Sequence, residues 1–289
     1  MLTGEYVRNF VDTIKSKSYW KFVFLSSEGI KTVFAVFGAS YLIFEALDFF
    51  NVYSRDAYGA WVFLILLVLS LISAIITKRP TNSVSVTGEK ADTIIEVRVA
   101  DIFTASGAVM VSTNTLFEAD VAGGKIAQDS LQGQFTARYF VGNQDELIQK
   151  INDETSKLEG EPPFPIGTTV PVTTNRKTFY FTAMSDLNEN GNAFTSVSNI
   201  EAALDGLWCH VRREGELQEL AVPVIGTGRG RLKMSRKKTI ARIAESYMEA
   251  LEEGKIADKL VIVVRPEDAS LFRANLYEIK DSLRHILGP

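Results

Sequence analysis

The stretch PVIGTGRGRLKMSR, residues 223–236, runs from an apolar segment through a loop of three glycines and two arginines into a basic helical pattern. The apolar residues 220–225 before it read as a short strand buried on both faces. Ser235 after it stands as the N-cap of a helix reaching about Leu251, with Gly254 as its stop. Strand, glycine loop and helix in this order belong to an α/β sheet. Such a loop can offer backbone N–H groups to an anion, although a tight turn followed by solvent-facing charges has the same wording. The loop therefore points to a fold class before it points to a ligand.

Working outward, the same alternation recurs. Thr93–Val99 (TIIEVRV) alternates apolar and polar residues as a half-buried strand does, and AVMV at 108–111 is a short apolar run. Residues 125–139 and 145–158 read as helices, 178–183 as a strand, 199–211 as a helix, 260–264 as a buried strand and 269–287 as a closing helix. The pattern predicts an α/β layer sandwich of roughly 200 residues.

The N-terminal part has a different character. Residues 58–77, YGAWVFLILLVLSLISAIIT, are 20 in a row without a charge. As a helix they extend roughly 30 Å, the thickness of a bilayer's hydrocarbon core. Residues 32–50, TVFAVFGASYLIFEALDFF, are apolar apart from Glu45 and Asp48 near the end, where carboxylates reach an interface. NVYSRDA at 51–57 joins the two. Lys15, Lys17, Lys21 and Lys31 precede this hairpin, Lys78 and Arg79 follow it, and the connector carries only Arg55. The positive-inside rule then puts both ends in the cytoplasm. The first apolar run begins too late for a cleaved signal peptide. Gly38, Ala39 and Ser40 form a small-residue patch where another helix can approach. PTNSVSVTG at 80–88 reads as a linker that opens on a helix-stopping proline.

The counts narrow the chemistry. A net charge of -4 argues against nucleic acid as the main partner. One cysteine, Cys209, and two histidines, His210 and His285, leave no internal disulfide and little for a metal site or a histidine-based triad. No Walker motif is present, and GTGRG is not the Rossmann fingerprint.

Candidate site residues follow strand ends, where ligands bind in open α/β sheets. Asp101 follows the first strong strand in VADIFTAS. Asn114 follows the second in AVMVSTNTLFEAD, ahead of Gly123 and Gly124, and the opening loop is the third. Singly these are a turn-capping Asp, a turn Asn and a glycine turn. Together they converge on one sheet edge, where an Asp can accept from an exocyclic amine and an Asn can bond a ribose hydroxyl.

This constellation resembles the macro domain, the ADP-ribose-binding fold. The matching elements are Ala100, Asp101 and Ile102; the strand end at Asn114; Gly123 and Gly124; and P-x-I-G-T-G at Pro223, Val224, Ile225, Gly226, Thr227 and Gly228. It covers residue 83 to the C-terminus. The implied architecture is α/β: a two-helix transmembrane hairpin followed by a macro-like three-layer α/β/α domain with a mixed sheet. Residues 1–31 form a cytoplasmic segment, 32–79 the hairpin and 80–289 the ligand-binding domain. The resemblance implies that Asp101 takes the adenine amine, with Ile102 beside the ring. Asn114 meets the ribose next to the diphosphate, and Gly123 and Gly124 line one side of that diphosphate. Ile225, Gly226, Thr227, Gly228, Arg229 and Gly230 wrap the other side, with Arg231 adding charge. The family's Gly-Gly-Gly-Val run is replaced by DVAGGK at 120–125, and Val111 stands where a first Asn is usual. Members that hydrolyse ADP-ribosyl bonds rely on that run, which favours binding over catalysis.

Two membrane helices ahead of such a domain are similar to the membrane effectors of type II Thoeris, a bacterial anti-phage system. That likeness implies a messenger, histidine-ADP-ribose, made from NAD by a TIR-domain partner and sensed by the macro-like domain, with membrane disruption to follow. Expected with it are an inner-membrane location, self-association, contact with lipid, and no cofactor, metal or catalytic residue. Two other readings stay open. One is a membrane-anchored ADP-ribosyl hydrolase using Asp120 or Asp129 as base; the other is an anchor whose α/β domain holds another protein. Any group beyond ADP-ribose would be read by loops such as 185–195.

Overall fold

The computed structural model describes residues 14–15, 17–52, 55–79, 81–88, 92–188, 193–225, 234–267 and 276–287. The chain divides into two units, Met1–Thr81 and Asn82–Pro289.

The first unit contains helices α1 (Lys17–Leu25), α2 (Ser27–Phe49) and α3 (Arg55–Thr77). α2 begins at Ser27, earlier than the expected 32, because the Ser26 hydroxyl accepts from the Gly29 amide at 3.0 Å and caps it. A methyl group at Gly29 would lie 2.0 Å from the Val23 carbonyl oxygen, so the corner between α1 and α2 requires glycine. α1 went unread in the sequence because its lysines, Lys17 and Lys21, interrupt the apolar pattern. Tyr19, Val23 and Ala74 form a small core, and Phe37 meets Phe63 edge-on at 5.4 Å between α2 and α3. Most other large side chains face outward, among them Phe34, Leu42, Ile43, Trp61, Leu64 and Val68. Ser27–Phe49 and Tyr58–Thr77 are long and apolar enough to cross a membrane by length and composition.

In the second unit, alternation of side chains builds the sheet. β1 (Ser83–Gly88), β2 (Thr93–Val99), β3 (Ala108–Asn114), β4 (Thr169–Thr174), β5 (Lys177–Leu187), β7 (Glu219–Pro223) and β8 (Lys259–Val264) lie in the order β1-β2-β8-β7-β3-β5-β4, and the short β6 (Ala193–Phe194) pairs with β5. β2, β8, β7, β3 and β5 are mutually parallel, and antiparallel β1 and β4 close the two edges. Met110, Tyr180, Leu220, Val222, Leu260 and Ile262 point to one face. Val109, Val111, Phe179, Phe181, Ala221, Val261 and Val263 point to the other, as a side-chain period of two requires.

Each face buries its residues under helices. α6 (Val197–Glu214), α7 (Arg236–Leu251) and α8 (Leu276–Leu287) cover the first through Leu204, Trp208, Ile243, Tyr247 and Leu283. Trp208 Nε1 donates to Ser246 Oγ at 2.8 Å and ties α6 to α7. α6 also comes within backbone contact of the turn before β4, since a methyl at Gly206 would lie 2.0 Å from the Gly167 carbonyl oxygen. α4 (Leu131–Tyr139) and α5 (Gln144–Thr155) cover the second face through Phe135, Leu147 and Ile151. This is the expected three-layer α/β/α arrangement with a mixed sheet.

Within the second unit, further details differ from the sequence reading. Residues 83–88 of the expected linker are an edge strand. Residues 169–174 are a strand despite Pro171, which an edge tolerates. The helix expected over 125–139 spans only 131–139, because the Ser130 hydroxyl accepts from the Gly133 amide at 3.0 Å and starts it there.

Candidate functional site

The parallel strands bring the ends of β2, β3, β5, β7 and β8 to one edge. From β3 the chain proceeds by α4 and α5 toward β5; from β7 it proceeds by α7 to β8, in the opposite direction. The crevice between neighbouring β3 and β7 is thus the switch point where open α/β sheets bind ligands. Asn114 closes β3 on one side of it, and Pro223, Val224 and Ile225 leave β7 on the other. Val224 N continues the pairing by donating to Val263 O at 3.1 Å, and Ile225 is buried. Gly226, Thr227, Gly228, Arg229, Gly230 and Arg231 lie outside the described residues. Asp101 follows β2, three strand spacings from Asn114 in the order β2-β8-β7-β3. At about 4.8 Å per spacing the two stand about 14 Å apart across the edge, the reach of an elongated ligand.

Asp101 occupies the N-cap of a 3-10 turn, Ile102–Thr104, and its Oδ1 accepts from Phe103 N at 3.0 Å. Its Oδ2 accepts from Arg138 on α4 at 2.5 Å, and that guanidinium lies 5.4 Å from the centre of the Phe103 ring. Ile102 is buried against the second face. From below, the Lys177 ammonium donates to the Phe103 and Ala105 carbonyls, and burial pushes its pKa below the ordinary lysine value. The segment carrying Asp101 is therefore clamped by two cations that motif reading did not find. Both arrive from distant strands and helices, so no local spacing announces them.

Asn114 is buried, with its Oδ1 accepting from Leu116 N at 3.0 Å and Glu118 N at 3.1 Å. This side chain shapes the loop that leads to the glycines. Gln132 Nε2 donates to the Glu118 carbonyl at 2.8 Å and anchors the loop to α4. Phe117, at φ 52°, packs into the core edge-on to Phe164 at 5.8 Å.

The glycine turn has an internal acceptor. Gly123 N donates to Asp120 Oδ1 at 2.6 Å, while Val121 N and Ala122 N donate to Gln144 Oε1 at 3.1 and 3.0 Å. Gln144 Nε2 in turn reaches Asp120 Oδ1 at 3.2 Å. A methyl on Gly123 would lie 2.0 Å from Asp120 Oδ2 and would push that carboxylate off the turn; Gly124, at φ 80°, calls for glycine through the turn itself. The Gly123 amide, then Gln144, then the charge of Lys125 hold the Asp120 carboxyl below the ordinary aspartate range. The D-x-x-G spacing is a turn signal legible in the sequence; Gln144, on another helix, is not. Asp129 lies one residue before the Ser130 cap. Among the described residues no group of three or more His, Cys, Asp or Glu side chains is placed to hold a metal ion.

The mixed sheet order and the helical layers on its two faces are those of a macrodomain, the ADP-ribose-binding fold. The chain belongs to the family described as Thoeris protein ThsA, Macro domain, which matches residues 95–265. Similar solved structures include the Oceanobacillus iheyensis macrodomain with MES bound (TM-score 0.49, 15% sequence identity, covering 71% of this chain and 97% of that one). Another is the Oceanobacillus iheyensis macrodomain with ADP (TM-score 0.47, 15% identity, 71% and 96% covered). Family membership rests on the sequence match and not on these likenesses. No match was found among curated proteins.

Proposed function

We propose that this chain is a membrane-anchored sensor and effector. Its macrodomain binds an ADP-ribose-derived messenger, histidine-ADP-ribose, supplied by a TIR-domain partner, and the bound form self-associates to disrupt the membrane in anti-phage defence. The observation that carries the reading is the presence, in one chain of the Thoeris ThsA family, of a macrodomain and two span-length helices with their large apolar side chains outward. Apolar surface on that scale is costly in water and at home in lipid. The lysines flanking the hairpin support an orientation in an inner membrane with both ends of the hairpin on the cytoplasmic side. A methyl at Gly38 would meet no atom within 4 Å, which is room for a helix of a second copy.

In this reading Asp101 accepts from the adenine amine, Asn114 bonds the ribose beside the diphosphate, and Gly123, Gly124 and residues 225–230 enclose the diphosphate. The chain is a receptor and not an enzyme. Asp120, a base candidate of the hydrolase reading, is bonded to Gly123 and Gln144 with its pKa lowered, which makes it a weak general base. A ligand can drive assembly only through unequal affinity for the two states.

The test is calorimetry on the full chain in lipid nanodiscs, paired with dye release from liposomes carrying it. Binding of ADP-ribose and tighter binding of histidine-ADP-ribose are expected, with dye release only when the conjugate is added. Failure to bind either compound, or release of free ADP-ribose from the conjugate, would overturn the reading.

A further inference from the structure

Three consecutive backbone amides, those of Val121, Ala122 and Gly123, all end on side-chain acceptors of the chain itself. Successive N–H groups converging in this way form a concavity suited to an anion. Here an anion is already present: the Asp120 carboxylate, 2.6 Å from the Gly123 amide and braced by Gln144 at 3.2 Å. Its second oxygen occupies the space that a side chain at Gly123 would fill. Gln144 closes the other two amides with a neutral oxygen. Nearby, Lys125 pairs with Glu118 at 2.9 Å, so the cation closest in sequence to the turn already has a carboxylate of its own. Other contacts of the loop, among them Asn114 Oδ1 with Leu116 N and Glu118 N and Gln132 with the Glu118 carbonyl, fix its position without using the amides of 121–123.

We infer that Asp120 is an affinity-setting residue: a built-in competitor that a ligand diphosphate must displace from the glycine turn. The inference rests on the reading of this crevice as a diphosphate site. Displacement breaks the Gly123–Asp120 hydrogen bond, forms one from the same amide to a diphosphate oxygen, and turns the carboxylate toward water. No covalent bond changes. The exchange replaces one charge-assisted bond by another, so the diphosphate alone gains little from this turn. It also brings two negative groups close together while the carboxylate withdraws. A ligand with further contacts elsewhere in the crevice overcomes this, whereas one with a diphosphate and little else is held back. The result is an affinity threshold: the same cost falls on every diphosphate, and at a given concentration only a ligand with further contacts in the crevice still binds.

The experiment compares the full chain in nanodiscs with its Asp120→Ala and Asp120→Asn variants, using calorimetry with ADP-ribose, ADP and inorganic pyrophosphate. Thermal melts of each variant establish that it is folded. Asp120→Ala frees the Gly123 amide and removes the charge, and affinity for ADP-ribose is expected to rise about tenfold, as for one exposed charge-assisted bond no longer displaced. ADP and pyrophosphate should gain by about the same factor, so that the smaller diphosphates come into measurable range while the ratio among ligands is kept. Asp120→Asn keeps an acceptor for the amide but no charge, and its affinity should fall between wild type and Asp120→Ala. Unchanged or weaker ADP-ribose binding in a folded Asp120→Ala variant, with wild type binding normally, would overturn the inference and leave the diphosphate reading standing. Absence of ADP-ribose binding in all three folded proteins would overturn both.

Discussion

Asp101→Asn separates binding from stability at the point where the adenine is expected. In the folded chain Asp101 makes two contacts: Oδ1 with Phe103 N at 3.0 Å and Oδ2 with Arg138 at 2.5 Å. Asparagine keeps a carbonyl oxygen for Phe103 N, so the cap of the 3-10 turn survives. What is lost is the ion pair, whose side chains are 45% and 46% exposed. Pairs so open to water contribute at most about 1 kcal/mol. At about 2–4 °C per kcal/mol for a unit of this size, the melting midpoint should move by no more than about 4 °C. Binding responds differently. An adenine amine that donated to a carboxylate now faces an N–H2 group, and losing a hydrogen bond to a charged acceptor costs about 1.5–3 kcal/mol. Calorimetry on the full chain in nanodiscs should therefore show ADP-ribose affinity falling about 10- to 150-fold. The hypoxanthine analogue, which carries a carbonyl in place of the amine, should gain where ADP-ribose loses, because the new amide donates to it. Equal ADP-ribose affinity in wild type and variant, with the midpoint unmoved, would refute the placement of adenine at Asp101. A drop in midpoint well beyond 4 °C would refute the account of the ion pair.

The remaining expectations concern the fold and the membrane. Glu96, facing Arg98 at 2.6 Å and the Lys259 ammonium, is held below the ordinary glutamate value of 4.5: burial alone would raise it, and the hydrogen bonds from Arg98 and Lys259 more than offset that. A lowered carboxyl pKa gives stability that is present above pH 4.5 and is lost as the pH falls through the lowered value. Urea midpoints should therefore drop below pH 4.5, and Glu96→Gln should flatten that part of the profile; an unchanged profile would count against the network. Gly206→Ala sets a methyl 2.0 Å from the Gly167 carbonyl oxygen and should cost roughly 1–3 kcal/mol in a thermal melt, since neither backbone can move aside without lifting α6 off the sheet. In the membrane reading, the full chain should resist carbonate extraction from vesicles. Val68→Arg, midway along Tyr58–Thr77, should lower the inserted fraction by placing a charge at a position that costs about 2.5–3.5 kcal/mol; wild-type protein released by carbonate would count against the span.

What the sequence reveals about this chain follows how far apart the interacting residues lie. The buried parallel strands declare themselves because both their faces must be apolar, as in LVIVV at 260–264. The edge strands do not: Ser83–Gly88 needs only Val84 and Val86 turned inward, and Thr169–Thr174 carries a proline that looks like a strand breaker until its place at the margin of the sheet is known. The same holds at the site. Asp101, Asn114 and the two glycines are legible because each acts on backbone within a few residues of itself, through caps and turns. Arg138, Lys177 and Gln144 are not, since each acts on a segment that the fold alone brings near it. That division bears on function. In the proposed function the local motifs form the diphosphate cradle, whereas the distant residues set how open it is, with Arg138 on the Asp101 carboxylate and Gln144 on the turn amides. Selectivity among ADP-ribose derivatives is therefore better sought in α4 and α5, which supply those two side chains, than in the motifs that identify the family.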